Sequence, residues 1–267
     1  MGFKEACREA VVSQFIRPRG FGGWLAGWEM ALRPSNRTRN AWAVRLLEVG
    51  PTDRVLEIGF GPGIAIRELS RLATRGYVCG IDHSAEMVGQ ARRRNARAVR
   101  AGLVDLRLGS AEELPQFDAP FDKVLAVNTL GMWRDPDARL SELCRLLAPG
   151  GRIAVISQPR CPGATPEISW HAGRELVDRL ERAGFTGIRS ETLALTPPVV
   201  CVIGHPAPAV YGEDHVTSKT ENAMEVLTTA VGCGSPRSST PRFPSLMILM
   251  FVARLLPVGV RWTARPV

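Results

Sequence analysis

The alternation between Pro51 and about Pro206 constrains this chain most: short β-rich runs take turns with amphipathic helical stretches. Such a pattern specifies a parallel sheet covered by helices on both faces, a doubly wound α/β domain. The runs predict strands at Arg54–Ile58, Tyr77–Ile81, Val104–Leu108, Lys123–Val127, Gly151–Ser157, Gly187–Glu191 and Val199–Ile203. Apolar residues spaced by three and four, such as Leu140, Leu143, Leu146 and Leu147, predict helices over Ile64–Thr74, Ala85–Ala98, Asp137–Leu147 and Ala172–Ala183.

The length of 267 residues fits one large domain or a domain with an appendage. A hydrophobic content of 45% with 22% charged residues excludes a wholly disordered chain. The longest apolar stretch, Leu246–Ala253, is far shorter than the roughly 20 residues of a spanning helix, so no transmembrane segment is expected. The charged start, with Lys4 and Glu5, does not suit a signal peptide, and the expected location is cytoplasmic. Scattered cysteines (Cys7, Cys79, Cys144, Cys161, Cys201, Cys233) read as reduced thiols, and the four histidines form no ligand-spaced cluster, so no metal is expected. The net charge of +8 comes mostly from arginine, which a GC-rich coding genome explains as easily as a nucleic-acid partner.

Ahead of the core, residues 1–50 hold an aromatic, arginine-rich stretch (Phe15, Phe21, Trp24, Trp28, Trp42) ending in a helix capped by Ser35 or Asn36. It is expected to form a helical lid over the domain of residues 51–207. Beyond, residues 208–267 lose the alternation, and Gly232–Pro244 has a linker composition. This tail is expected to be loosely attached and dispensable for the core.

Val55–Gly63 carries the chemistry: a buried strand runs into Gly59-Phe60-Gly61-Pro62-Gly63 and then a helix, a turn that lets a ligand approach the backbone. A dinucleotide fingerprint would need glycine at position 64, which is Ile64, and the Gly-Lys-Ser/Thr of a phosphate loop is missing. Pyrophosphate is therefore disfavoured, although such glycines also serve as plain turn residues. Asp82 ends the next strand, 23 residues beyond Gly59, near the position of a ribose-binding acid. The same carboxylate could instead cap the helix that begins at Ser84.

Further motifs follow in order: Gly80-Ile81-Asp82-His83-Ser84 with Met87, Gly109-Ser110-Ala111-Glu112-Glu113-Leu114-Pro115, Phe121-Asp122-Lys123-Val124, and Leu146-Leu147-Ala148-Pro149-Gly150-Gly151. With the glycine turn they make residues 51 to about 206 resemble a class I S-adenosylmethionine-dependent methyltransferase, of the small-molecule branch that includes the ubiquinone/menaquinone biosynthesis enzymes. That resemblance implies a Rossmann-like fold of seven strands, the last antiparallel, and S-adenosylmethionine as cofactor. It puts Gly59, Phe60, Gly61 and Gly63 along the methionine part, with Glu57 at the ammonium group and Asp82 on the ribose hydroxyls. His83, Met87, Ser110 and Ala111 would border the adenine, and Asn128 would face the transferred methyl. His83 stands where relatives commonly have an apolar residue, and Ser110 replaces a frequent Asp.

An in-line displacement on a sulfonium needs no nucleophile, so Asn128 and His83 are the candidates for a catalytic role. Asn128-Thr129-Leu130-Gly131 differs from the Asn/Asp-Pro-Pro-Tyr/Phe element of nucleic-acid amino methylases, which points to a small, apolar acceptor methylated on oxygen, carbon or a small amine. An RNA methyltransferase and a non-catalytic cofactor-binding scaffold stay open. The arginines from Arg92 to Arg100 read as a solvated helix face, Cys161 as a loop thiol, and the Trp24/Trp28 pair as core or lid packing. Contact of the tail with a membrane surface, and a homodimer, are compatible with the sequence.

Overall fold

The computed structural model describes residues 19–160 and 163–208. The chain divides into units of residues 1–210 and 211–267, and the described residues all lie in the first. The tail, including Gly232–Pro244 and Leu246–Ala253, and also Phe15 and Cys161, lie outside the described residues.

Two N-terminal helices, α1 (Gly20–Leu32) and α2 (Pro34–Leu47), precede β1 (Arg54–Ile58). Then come α3 (Ile64–Leu72), β2 (Tyr77–Asp82), α4 (Ala85–Arg94), α5 (Ala96–Arg100), β3 (Val104–Leu108) and β4 (Phe121–Val127). α6 (Pro136–Leu146), β5 (Leu147–Ser157), α7 (Pro166–Arg182), β6 (Phe185–Leu193) and β7 (Val199–Pro206) complete the unit. The strands form one sheet in the order β3-β2-β1-β4-β5-β7-β6. The β3-to-β5 pairings are parallel, while β7 runs antiparallel to both neighbours. The strand order reverses direction between β1 and β4, and in such sheets a crevice opens outside the carboxyl ends at that point.

Side chains that alternate along each strand supply two core layers. Val55, Leu125 and Ile156 face a layer with Val44 and Leu47 of α2, Ile66 and Leu69 of α3 and Ala91 of α4. Leu56, Ile58, Val124 and Val155 join the other layer, with Leu140 and Leu143 of α6 and Leu176 and Leu180 of α7. α2 is thus part of the core, and Trp42 is buried in it.

Several element boundaries differ from the sequence reading for identifiable reasons. No side chain caps α2: Arg33 occupies the N-cap position and Pro34, whose φ is already helical, opens the helix. Ser35 and Asn36 lie inside the first turn, and Asn36 donates its amide back to the Met30 carbonyl at 2.7 Å. The long helix expected over Ala85–Ala98 breaks at Asn95, whose side chain donates to the Gly63 and Ala91 carbonyls. β5 starts at Leu147, not Gly151, because Leu147 pairs with Phe121 before the register shifts. α7 begins at Pro166, six residues earlier than the apolar spacing indicated, and β6 and β7 are longer at one or both ends. Trp24 and Trp28 are exposed, with stacked rings 6.5 Å apart, rather than buried in the core.

Candidate functional site

The turn after β1 is shaped by three glycines with positive φ, each for a different reason. A Cβ on Gly59 would strike the Thr129 hydroxyl. One on Gly63 would come within 2.6 Å of the Ala91 side chain of α4, so this glycine lets turn and helix touch. One on Gly61 would meet nothing within 4 Å, leaving a space against the backbone that a ligand could fill.

Asp82, 5% exposed at the end of β2, ties this turn to the next. Its Oδ2 accepts the Gly61 N–H at 2.8 Å and its Oδ1 accepts the Ser84 N–H at 2.9 Å. The second bond is the helix-entry role left open by the sequence, while Ser84 itself caps α4 by accepting the Met87 N–H. Each carboxylate oxygen keeps lone-pair capacity for a further donor. Burial raises the Asp82 pKa, opposed by these two backbone bonds and by the neighbouring His83.

Glu57, on β1 and 1% exposed, has its pKa pushed up to about 8, by burial first and by the Asp82 charge second. Its Oε2 has no partner among the described residues. Such a carboxyl is costly to ionise alone and suits an added cation.

A cavity of about 650 Å³ opens at the carboxyl ends of β1 to β4. It brings together Gly59, Asp82, His83, Ser110 and Ala111. The His83 imidazole remains 43% exposed, with Nδ1 3.8 Å from Asp82 Oδ1. Ser110 Oγ accepts the Glu112 N–H at 3.1 Å, shaping the loop after β3. Glu57, Gly61 and Gly63 are not among its lining residues, although Gly61 is bonded to Asp82, which is, whereas Phe60 is packed in the core and Met87 is buried in α4, where Gly27 of α1 packs against it.

Arg19, Glu112, Thr129, Trp133 and Arg134 also line this cavity. Trp133 is buried, and its Nε1, a donor that the sequence did not single out, has no partner among the described residues. An aromatic in the loop after Asn128 was the available signal.

Asn128 stands elsewhere. It lines a second cavity of about 360 Å³ with Leu130, Ile156, Gln158, Arg160 and Leu176, at the ends of β4 and β5 beside α7. Its φ of 54° is left-handed, a conformation that asparagine tolerates better than most residues. Oδ1 accepts the Gln158 N–H at 2.7 Å, fixing the side chain to the end of β5. Consecutive residues, Asn128 and Thr129, therefore line different cavities, and the loop after β4 is a wall between them. Among the described residues, no three His, Cys, Asp or Glu side chains gather in a way that could hold a metal.

Comparison with known proteins places the fold and the family. Residues 55–151 match the methyltransferase domain family. The chain is 34% identical over 178 residues to the uncharacterized methyltransferase YdaC of Bacillus subtilis, covering 66% of this chain and 95% of that protein. It is 29% identical over 128 residues to the ubiquinone/menaquinone biosynthesis C-methyltransferase UbiE of Geotalea daltonii, covering 47% of this chain and 54% of the relative. Among solved structures, the N-methyltransferase NodS from Bradyrhizobium japonicum superposes with a TM-score of 0.52 at 18% identity, covering 66% of this chain and 98% of the other, a likeness of fold.

Proposed function

This chain belongs to the class I S-adenosylmethionine-dependent methyltransferases, and from that premise we propose that it methylates a small molecule with an apolar body held in the cavity between β4, β5 and α7. The cofactor is S-adenosylmethionine, whose sulfonium supplies an activated methyl group.

The residues around the larger cavity fit that cofactor. Gly61 leaves open space at the backbone, Glu57 has an orphaned oxygen suited to an ammonium group, and Asp82 has capacity for the ribose hydroxyls. Ser110 and Ala111, with the Trp133 donor nearby, would border the adenine. Holding both reactants in register is the protein's main contribution, because effective molarity can be worth about 7–11 kcal/mol in favourable cases. Asn128 would position the acceptor and shield the reacting centre from water. His83 is assigned no proton transfer.

The observation that carries the acceptor reading is the wall formed by Asn128 and Thr129, which puts a second chamber with an apolar floor of Leu130, Ile156 and Leu176 next to the larger cavity. No helix among the described residues is long and apolar enough to cross a membrane. Cys79, Cys144 and Cys201 are free thiols, in keeping with a cytoplasmic setting.

The test is formation of S-adenosylhomocysteine by the full chain over a panel of small phenols, amines and acids, with total RNA in parallel. Turnover with small molecules and none above background with RNA is expected. Turnover confined to RNA overturns the proposal.

A further inference from the structure

Two guanidinium groups, those of Arg39 and Arg160, meet at one end of the smaller cavity without an ion-pair partner among the described residues. Arg39 of α2 is 6% exposed. Its Nη1 donates to Gln158 Oε1 at 2.8 Å, while its buried Nε has no partner among the described residues. Arg160, exposed on the cavity lining, donates from Nη2 to Asn36 Oδ1 at 2.7 Å. Asn36 and Arg39 are three residues apart on one helix, so the two guanidinium groups approach the end of β5 from the same side.

Neither arginine has a carboxylate within ion-pair distance among the described residues, although other nearby cations do. Arg33 pairs with Glu29, the acid whose charge Arg160 senses, and Arg179 on the same cavity is held by Asp137 at 2.5 Å. The one acid among the described lining residues, Glu175, lies on α7 3.3 Å from the His171 imidazole and makes no ion pair with Arg160 or Arg39. Burial, helped by Arg160 and Arg33, lowers the Arg39 pKa to about 9, which leaves it charged at neutral pH. An uncompensated buried guanidinium opposes folding unless some anion joins it.

Gln158 connects this charge to the reacting end. It accepts from Arg39 and donates its backbone N–H to Asn128 Oδ1, and its Nε2 is anchored on the Pro197 carbonyl at 2.8 Å. Leu130, Ile156 and Leu176 supply an apolar floor between the two ends.

Resting on the reading of this cavity as the acceptor chamber, we propose that the acceptor carries an anionic group, a carboxylate or a phosphate, bound by Arg160 and supported by Arg39. Arg160 makes the contact. Arg39 is a positioning residue that holds Gln158 and adds its charge from behind. The acceptor is then an amphiphilic acid whose anionic end is anchored away from the methylated atom.

The experiment uses the full chain saturated with S-adenosylhomocysteine, with phenylacetate, phenyl phosphate and neutral phenylacetamide as probes in a ligand-observed NMR titration. At least one acid should bind about tenfold more tightly than the amide, and the stronger acid tells carboxylate from phosphate. Arg160→Gln should erase that preference, Arg160→Lys should restore part of it, and S-adenosylhomocysteine should bind both variants as it binds the wild type. An amide that binds as well as both acids, a preference unchanged in Arg160→Gln, or no binding by any probe overturns the proposal. Failure of the wild type to bind S-adenosylhomocysteine would instead overturn the functional reading beneath it, so the two failures are distinct.

Discussion

Asp82 accepts the Gly61 backbone N–H at 2.8 Å, so the acid that ends β2 and the glycine turn that follows β1 form one hydrogen-bonded unit. Asp82→Ala removes this bond, the Ser84 bond and the proposed acceptor for the ribose hydroxyls. The expected loss in S-adenosylhomocysteine affinity is about 1.5–3 kcal/mol, the scale of hydrogen bonds to a charged group. Calorimetry checks this, and unchanged affinity would remove Asp82 from the site.

The turn glycines should separate into two classes. Gly61→Val places its side chain in open space at a φ of 53°, so strain of about 1–2 kcal/mol is expected with cooperative thermal unfolding retained and cofactor binding abolished. Gly63→Ala drives a methyl toward Ala91 and Asn95, and should cost about 1–3 kcal/mol of stability through overpacking. Thermal melts with and without S-adenosylhomocysteine distinguish the two. Full turnover by Gly61→Val would contradict the placement of the cofactor.

Glu57 gives a pH signature with a definite sign. Its folded pKa of about 8 lies above the ordinary 4.5, so between these values the native state holds a proton that the unfolded chain has released. Stability therefore falls as pH rises through this window, by up to about 1.4 kcal/mol per pH unit, and the loss levels off above the folded pKa. An ammonium group on Glu57 favours the ionised form, so S-adenosylhomocysteine affinity should climb toward about pH 8. Glu57→Gln should flatten both dependences, raise the melting temperature at that pH and weaken binding. Parallel slopes in wild type and variant would assign the pH dependence elsewhere.

The N-terminal helices should respond differently to truncation. Arg19, the N-cap residue of α1, lines the larger cavity, and α1 packs through Gly27 on Met87 and Gln90. Deleting residues 1–32 is expected to spare S-adenosylhomocysteine affinity to within about tenfold, or 1.4 kcal/mol, and to eliminate transfer. Extending the deletion to residue 49 removes Ala43, Val44 and Leu47 from the core and should abolish cooperative unfolding. Full transfer by the shorter deletion would show that α1 is no lid.

The β1 turn and Asp82 were legible because their constraints are local: a buried strand, backbone that needs positive φ, and an acid at a fixed distance along the chain. β7 could be located from its apolar run, but its antiparallel direction came from the family resemblance. Asn36 has the right chemistry for a cap, but Pro34 opens the helix and puts the N-cap at Arg33, three residues earlier. Arg39 left no signal in the sequence, since its partner Gln158 is 119 residues away and the pair belongs to no motif. Asn128 was found as a candidate, yet its place on the second cavity depends on the bond to Gln158, a tertiary contact across 30 residues.

A crystal structure of the full chain with S-adenosylhomocysteine tests the central claim most directly. The account predicts ribose hydroxyls within about 3 Å of the Asp82 carboxylate, the ammonium group on Glu57, the methionine part across Gly61, and the sulfur at the Asn128–Thr129 wall. A ligand seated away from both Asp82 and Glu57, with neither carboxyl in contact with it, would contradict it.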